Sequence, residues 1–259
     1  MGKDSKIEWT HHTFNPWWGC TRASAGCANC YAEVWAKRVG VDLWGKEAPR
    51  RFFGDSHWHN PLRWQTDALR TQQRQRVFCA SMADVFESRS DLDPWRARLW
   101  DLIQKTPNLD WLLVSKRPEE AAKLTPWGSK WPQNVWMGTT VETQEWAEKR
   151  IEAILDVPAK IRFVSCEPLL GPLDLTPWLG DGQIDWVIAG GESGARARPM
   201  QAAWVSGLYK QCLERTTSFF FKQWGVFGED GIRRNKKSNG KTLMGQELQA
   251  FPALSWAST

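Results

Sequence analysis

Short apolar runs rich in β-branched and aromatic residues recur along this chain at fairly even intervals, and helical patterns fill most of the gaps between them. The runs fall at 76–80, 111–115, Val135–Thr140, Ile161–Cys166, 185–189 and 218–221. Each reads as a buried strand. A seventh falls at 13–17 and contains Pro16, a residue that central strands do not accept. The clearest helix spans 143–155. Trp146, Ala147, Ile151, Ile154 and Leu155 lie on one side of it, and Glu145, Glu148, Lys149 and Glu152 on the other. Thr143 is its expected N-cap, and Pro158 follows its end. The patterning predicts further helices over 94–105, with Asp93 as cap and Pro94 at the first helical position, over 28–39 and over 201–215. Strands alternating with helices imply a parallel sheet. Six or seven such units predict an α/β fold, a partial or complete parallel βα barrel of the TIM type.

The 259 residues suit one such domain over 1–259, and no low-complexity stretch or linker divides them. Residues 180–183 read as a loop. A basic, polar, glycine-containing stretch at about 228–245 reads as a surface loop or flap. No apolar run approaches the roughly 18 residues of a membrane span, and the polar start lacks the apolar stretch of a signal peptide. A cytoplasmic protein with no membrane partner is therefore expected, in the host cytoplasm if it is phage-encoded. The net charge of +5, from 34 basic and 29 acidic residues, is a mild lean towards polyanions. Tryptophan is abundant, 19 against 2 tyrosines. Packing is the usual use of such rings, and stacking on planar ligands such as bases is a second.

In βα barrels the chemistry lies at the C-terminal ends of the strands. Here those ends carry Ser81, Asp84 and Glu87; then Ser115, Lys116 and Arg117; then Thr139, Thr140 and Glu142. They are followed by Cys166 and Glu167; by Gly190, Gly191, Glu192 and Ser193; and by Lys222, Gln223 and Trp224. Strand ends meet water and are often polar for that reason alone. That accounts less well for Glu167 beside Pro168 and for Glu192 after Gly190–Gly191, where tight turns let the backbone approach a ligand closely.

Three of the six cysteines, Cys20, Cys27 and Cys30, sit within eleven residues. A disulfide framework belongs to short secreted chains with paired spacing, so the clustered trio reads as a metal or cluster site. The loop at 15–31, Asn15-Pro16-Trp17-Trp18-Gly19-Cys20 through Tyr31, offers three thiolates in a Cys-x6-Cys-x2-Cys pattern. Thiolates suit zinc and iron–sulfur centres. Three ligands leave one iron of a cubane open, whereas a structural zinc is closed by a fourth. His11, His12, His57 or His59 can supply that fourth ligand, so the spacing leaves cluster and zinc both open. Cys79 and Cys212 fall inside element patterns and read as core.

With these residues the sequence resembles the radical S-adenosylmethionine enzymes, in particular a phage and bacterial branch marked by Asn-Pro-Trp-x-Gly-Cys. The resemblance extends over nearly the whole chain. Its later landmarks are Phe163-Val164-Ser165-Cys166-Glu167-Pro168-Leu169-Leu170-Gly171, Ala189-Gly190-Gly191-Glu192-Ser193-Gly194 and Phe221-Lys222-Gln223-Trp224-Gly225. It implies a [4Fe-4S] cluster on Cys20, Cys27 and Cys30, with S-adenosyl-L-methionine on the fourth iron. One electron from a reductant such as flavodoxin or ferredoxin would then yield a 5′-deoxyadenosyl radical that abstracts hydrogen from a substrate; the cofactor does the hard step and the protein positions it. The first cysteine gap is six, where the commonest spacing in this group has three. The family's Gly-Gly-Glu turn, which holds the cofactor amino group, usually follows an early strand; Gly190-Gly191-Glu192 comes late, so Glu192 can face the substrate instead. The implied cofactor contacts are Ser81, Asp84, Thr139, Thr140, Glu142, Gly190, Gly191 and Glu192, and Cys166 and Glu167 are the catalytic candidates. Cys166 would return hydrogen to a product radical, as a cysteine does in photoproduct-repair relatives; its bland reading is a small buried hydrophobe.

The basic stretches at 63–76, at Arg196 and Arg198 and at 233–241, with the phage context of the resembling branch, point to a nucleobase substituent in DNA or in a nucleotide as substrate. Two other readings stand beside it. One is a zinc-stabilised, non-catalytic nucleic-acid-binding protein, which would hold zinc and no iron. The other is a radical enzyme acting on a peptide or small metabolite.

Overall fold

A computed structural model describes residues 2–253. The main sheet contains β1 (His12–Thr13), β2 (Gln75–Cys79), β3 (Leu109–Ser115), β4 (Val135–Thr140), β5 (Ile161–Cys166), β6 (Trp186–Gly190) and β7 (Ser218–Gln223). They follow one another across the sheet in chain order. The pairs β1–β2, β2–β3, β3–β4, β5–β6 and β6–β7 are all parallel. This is the expected α/β class, a partial parallel βα barrel. The longer helices are α1 (Tyr31–Arg38), α2 (Asn60–Thr71), α3 (Asp93–Lys105), α4 (Gln144–Leu155) and α5 (Ala202–Glu214). Two compact units divide the chain: one runs to Thr140 and includes Lys149–Lys160, the other comprises Val141–Glu148 and the chain from Ile161 onward. The single domain expected over 1–259 also takes in Met1 and 254–259, which lie outside the described residues. No helix among those residues is long and apolar enough to cross a membrane.

In the first unit, β3 is buried along almost its whole length, as a parallel strand covered on both faces must be. Val77 faces Trp111 in register, and Leu112 faces Trp136. Asn134, just before β4, donates from Nδ2 to the carbonyls of Ile103, Thr106 and Leu109 at 3.2, 3.0 and 3.1 Å. It thereby ties the end of α3 and the turn after it to the start of β3. Asp93 is the first residue of α3 rather than its cap, because a 3-10 turn over Ser90–Leu92 leads directly into the helix. The expected strand at 13–17 is split. Thr13 ends β1, while Trp17–Trp18 pairs antiparallel with Arg51–Phe52 in a separate two-stranded sheet; Pro16 lies at the break. The helix expected from residue 28 begins at Tyr31, because Ala25–Cys27 forms a 3-10 turn and Cys30 has ψ 116°, outside the helical range.

In the second unit, Trp186 of β6 is fully buried between the rings of Phe163 and Phe220, and its indole N–H donates to Ala250 O at 2.9 Å. Helix α5 buries Val205, Leu208 and Cys212. Gly180, at φ +82°, accepts from Gln183 N–H at 3.1 Å, closing the expected loop. The basic stretch is exposed throughout 229–238 and contains a short helix, Lys236–Asn239.

Candidate functional site

Cys20, Cys27 and Cys30 are free, partly exposed thiols, and Cys79, Cys166 and Cys212 are free and buried. Gly19 delivers the chain to Cys20 at φ +112°, where a Cβ would lie 2.6 Å from Leu43 O and 2.8 Å from Arg50 Cδ. Only glycine fits that approach. Cys20 Sγ donates to Thr21 O at 3.3 Å, and Ala23 N–H reaches Cys27 Sγ at 3.5 Å. Burial pushes the Cys20 thiol up to about 12, with Asp84 adding to the rise. Burial also raises Cys30, against the backbone N–H groups of Glu33 and Ala32 at the start of α1. A soft metal centre must displace these protons on binding.

Cys27 acts electrostatically on both Cys20 and Cys30, so the trio shares one locality. Among the described residues no three His, Cys, Asp or Glu side chains gather around a single-ion position. A cubane places each thiolate on a different iron, so its ligands need not converge on one point. Three soft donors from one loop, with a backbone N–H directed at one of the sulfurs, fit a cluster. Three of the histidines have other work. His11 Nδ1 accepts from Arg76 N–H at 2.8 Å; His12 Nε2 bonds Gln75 Oε1 at 2.6 Å; His57 Nε2 donates to Asn15 O at 2.9 Å.

Around the loop lies a frame that joins the expected strand-end residues Asp84, Glu87, Ser115, Lys116 and Arg117 to Arg50, which sequence reasoning did not find. Arg50 has a fully buried side chain and Glu87 is 4% exposed; they pair at 2.7 Å. Arg50 also donates to the carbonyls of Leu43, Ala48 and Gly45 at 3.1, 2.7 and 3.1 Å and to Thr21 Oγ1 at 3.2 Å. Arg117 donates to Thr21 O at 2.7 Å and pairs with Asp84 at 2.9 Å. Asp84 further accepts from Ser115 Oγ at 2.7 Å, Lys116 N at 3.0 Å and Phe86 N at 3.1 Å. Arg50 carried no sequence signal: it is one of two adjacent arginines thirty residues beyond Cys20, outside any periodic pattern.

The other candidates of this unit lie at strand ends. Asn15 Nδ2 donates to Ser81 Oγ at 3.0 Å, and Asn15 Oδ1 accepts from Met82 N at 2.7 Å. Tyr31, directly after Cys30, donates its hydroxyl to Ser81 O at 2.7 Å. The segment Asn15–Tyr31 is thus tied to the end of β2. Thr139 Oγ1 donates to Ser115 O at 3.0 Å, and Thr140 O accepts from Arg150 at 2.7 Å.

In the second unit the strand ends carry two carboxylates with cationic partners. Glu167 Oε1 accepts from Lys222 Nζ at 2.7 Å and Oε2 accepts from Ser165 Oγ at 3.1 Å. Both oxygens of Glu192 are held by Arg198, from Nη2 at 2.6 Å and from Nε at 3.0 Å, with Arg198 N–H adding a bond at 2.8 Å. Glu192 raises the Arg198 pKa through these bonds. The Gly190–Gly191 turn is sterically fixed. A Cβ on Gly190 would meet Glu167 Oε1 at 3.0 Å, and one on Gly191 would lie 1.8 Å from Trp224 O. Gly191 N–H donates to Gln223 O at 2.9 Å, and Gln223 Nε2 returns a bond to Gly191 O at 2.8 Å. Glu142 is fully buried, and its carbonyl accepts from Leu170 N–H at 3.0 Å. Cys166 is fully buried; burial raises its pKa, followed by Cys212 of α5, Glu167 and Glu142. Its thiol therefore stays protonated at neutral pH.

Among solved structures the chain is similar to spore photoproduct lyase complexed with dinucleoside spore photoproduct. The identity is 12%, the TM-score 0.47, and the match covers 73% of this chain and 58% of that one. A mutant of spore photoproduct lyase with bound AdoMet and dinucleoside spore photoproduct matches at 10% identity and TM-score 0.48, over 83% of this chain and 64% of that one. The chain thus spans less than two thirds of the length of either. No curated protein matches it. The family model described as "Protein of unknown function (DUF5131)" matches residues 4–252, and the protein belongs to that family.

Proposed function

We propose that this protein is a radical S-adenosylmethionine enzyme. Cys20, Cys27 and Cys30 would hold a [4Fe-4S] cluster that binds S-adenosyl-L-methionine, and the substrate would be a nucleobase substituent in DNA or in a nucleotide. The observation that carries this reading is three partly exposed thiols on one loop, braced by buried ion pairs. The motif resemblance and the parallel βα sheet support it further. When bound, the cluster would supply the one-electron chemistry for cleaving S-adenosyl-L-methionine, with a flavodoxin or ferredoxin in the cytoplasm as the electron donor.

The chain's own part is to place and shield. Gly19 lets the backbone bring Cys20 in, and Arg50 and Arg117 hold Thr21 beside it. Asp84 already accepts four hydrogen bonds, so its role is to hold Arg117 rather than to touch the cofactor. Of the cofactor contacts that the resemblance implies, Ser81, Thr139 and Thr140 stand at strand ends of the first unit; Glu142, Gly190 and Gly191 belong to the second, where the two glycines let the turn pack against Glu167 and Trp224. Glu192, engaged on both oxygens, orients Arg198 as a cation for an anionic group. Glu167, held by Lys222 and Ser165, is the carboxylate assigned to the substrate. Cys166 keeps its S–H, the state from which a hydrogen atom can be given. Three of the four histidines that a zinc site could recruit each give one ring nitrogen to another partner, which favours cluster over zinc.

The test is metal content. Anaerobically purified protein should carry about four irons with matching sulfide, the content of a cubane, and no stoichiometric zinc. Single Cys20→Ser, Cys27→Ser and Cys30→Ser variants should each lose most of that iron, while Cys79→Ser keeps it. One zinc per chain in the parent protein would replace this reading with the zinc-stabilised binding protein.

A further inference from the structure

Thr21, the residue after Cys20, is gripped at two points. Its carbonyl accepts from Arg117 Nη2 at 2.7 Å, and its hydroxyl accepts from Arg50 Nη2 at 3.2 Å. The two guanidiniums differ in their surroundings. Arg50 is fully buried and spends its remaining donors on Glu87 and the carbonyls of 43–49, which is the bonding of a structural brace. Arg117 has a side chain 15% exposed and one carboxylate partner, Asp84, 7% exposed. Asp84 is fixed from three further directions, by Ser115 Oγ, Lys116 N–H and Phe86 N–H. The carboxylate is thus anchored at the ends of β2 and β3, and Arg117 is anchored on it.

Arg117 reaches Thr21 O, one residue from Cys20, at 2.7 Å, and Asp84 lies 2.9 Å from Arg117, so one charge of each sign is fixed at the Cys20 end of the loop. Charges held in place near a low-dielectric site act far more strongly than mobile surface charges.

We propose that Asp84 and Arg117 are positioning residues that set the reduction potential of the cluster through its Cys20 ligand. Arg117 fixes the loop at Thr21 O, and the pair holds one charge of each sign beside the thiolate. This rests on the cluster assignment above. Reduction adds one electron, and so one negative charge, to the cluster. A neighbouring cation favours the reduced form and a neighbouring anion opposes it; net charge and hydrogen bonding around the sulfurs are the protein's levers on such potentials.

The two halves of the pair therefore act in opposite directions, which a purely structural ion pair would not do. In the full chain carrying its cluster, Arg117→Gln leaves Asp84 uncompensated and should move the midpoint potential to more negative values. Asp84→Asn leaves Arg117 uncompensated and should move it to more positive values. Arg117→Lys keeps the charge but loses the fork that reaches both Asp84 and Thr21 O. It should stay near the parent potential while losing iron to a chelator several-fold faster. The measurement is an electron paramagnetic resonance titration against mediators, with iron content and circular dichroism recorded on each variant. Shifts of the same sign, or no shift in variants that retain iron and fold, would overturn the proposal. If Arg117→Gln or Asp84→Asn does not fold, Arg117→Lys decides it: a parent-like rate of iron loss would overturn the proposal. A parent protein that binds no iron would instead remove the cluster assignment itself, a distinct result.

Discussion

A methyl group at position 191 would sit 1.8 Å from Trp224 O, whereas one at position 171 would meet nothing within 4 Å. Gly191→Ala should accordingly lose about 1–3 kcal/mol in urea unfolding, the cost of forcing atoms into a packed site. Gly171→Ala should stay within about 0.5 kcal/mol of the parent. A second expectation at this scale concerns acid. Burial lowers the pKa of His11 to about 4, with Arg76 and His12 adding, and burial also lowers His12 and His57. These imidazoles are neutral in the fold, while the unfolded chain takes up protons near pH 6.5. Where the unfolded state binds more protons, stability rises with pH. Stability should therefore fall as pH drops from about 6.5 towards 4, and His11→Asn should flatten the upper part of that decline in pH-dependent urea midpoints.

Among the elements, the loop between β1 and α1 depends most on distant support. Removing one partner of a buried ion pair leaves the other charge unpaired, at a cost of about 3–5 kcal/mol. Arg50→Met should lower the thermal midpoint by that order, and Arg50→Met combined with Glu87→Leu should recover part of the loss, because no buried carboxylate is then stranded. The strands were legible in the sequence because each is a compact run of apolar residues, and β2 to β7 lie within one or two residues of the expected bounds. The interruption at Pro16 was legible too, but not its result: Trp17–Trp18 leaves the main sheet to pair with Arg51–Phe52, a partner more than thirty residues away that no local pattern announces. The cysteine trio was legible because ligand spacing is local. The Arg50–Glu87 pair was not, since buried charges are rare and ion pairing leaves no periodic trace. Asp84 was recognised as a polar strand end, yet the sequence could not reveal that its oxygens were already taken by Ser115, Lys116, Phe86 and Arg117.

For the whole molecule, the family match and the motif resemblance both span nearly the entire chain. The net charge of +5 favours a polyanionic substrate. If that substrate is polymeric DNA, duplex binding should weaken steeply between 50 and 200 mM salt, since each phosphate contact releases counterions. Lys237→Glu, in the exposed basic segment, should then reduce the slope of log affinity against log salt by about one phosphate contact or more. Salt-independent binding, or no binding to DNA, would restrict the substrate to nucleotides.

The central claim is radical chemistry at Cys20, Cys27 and Cys30, and the most direct measurement is product formation from S-adenosylmethionine by the anaerobic, chemically reduced protein. The account predicts 5′-deoxyadenosine and methionine from the parent chain and neither from any of the three single cysteine-to-alanine variants. An iron-loaded parent that leaves S-adenosylmethionine intact, or cleavage that persists without Cys27, would contradict it.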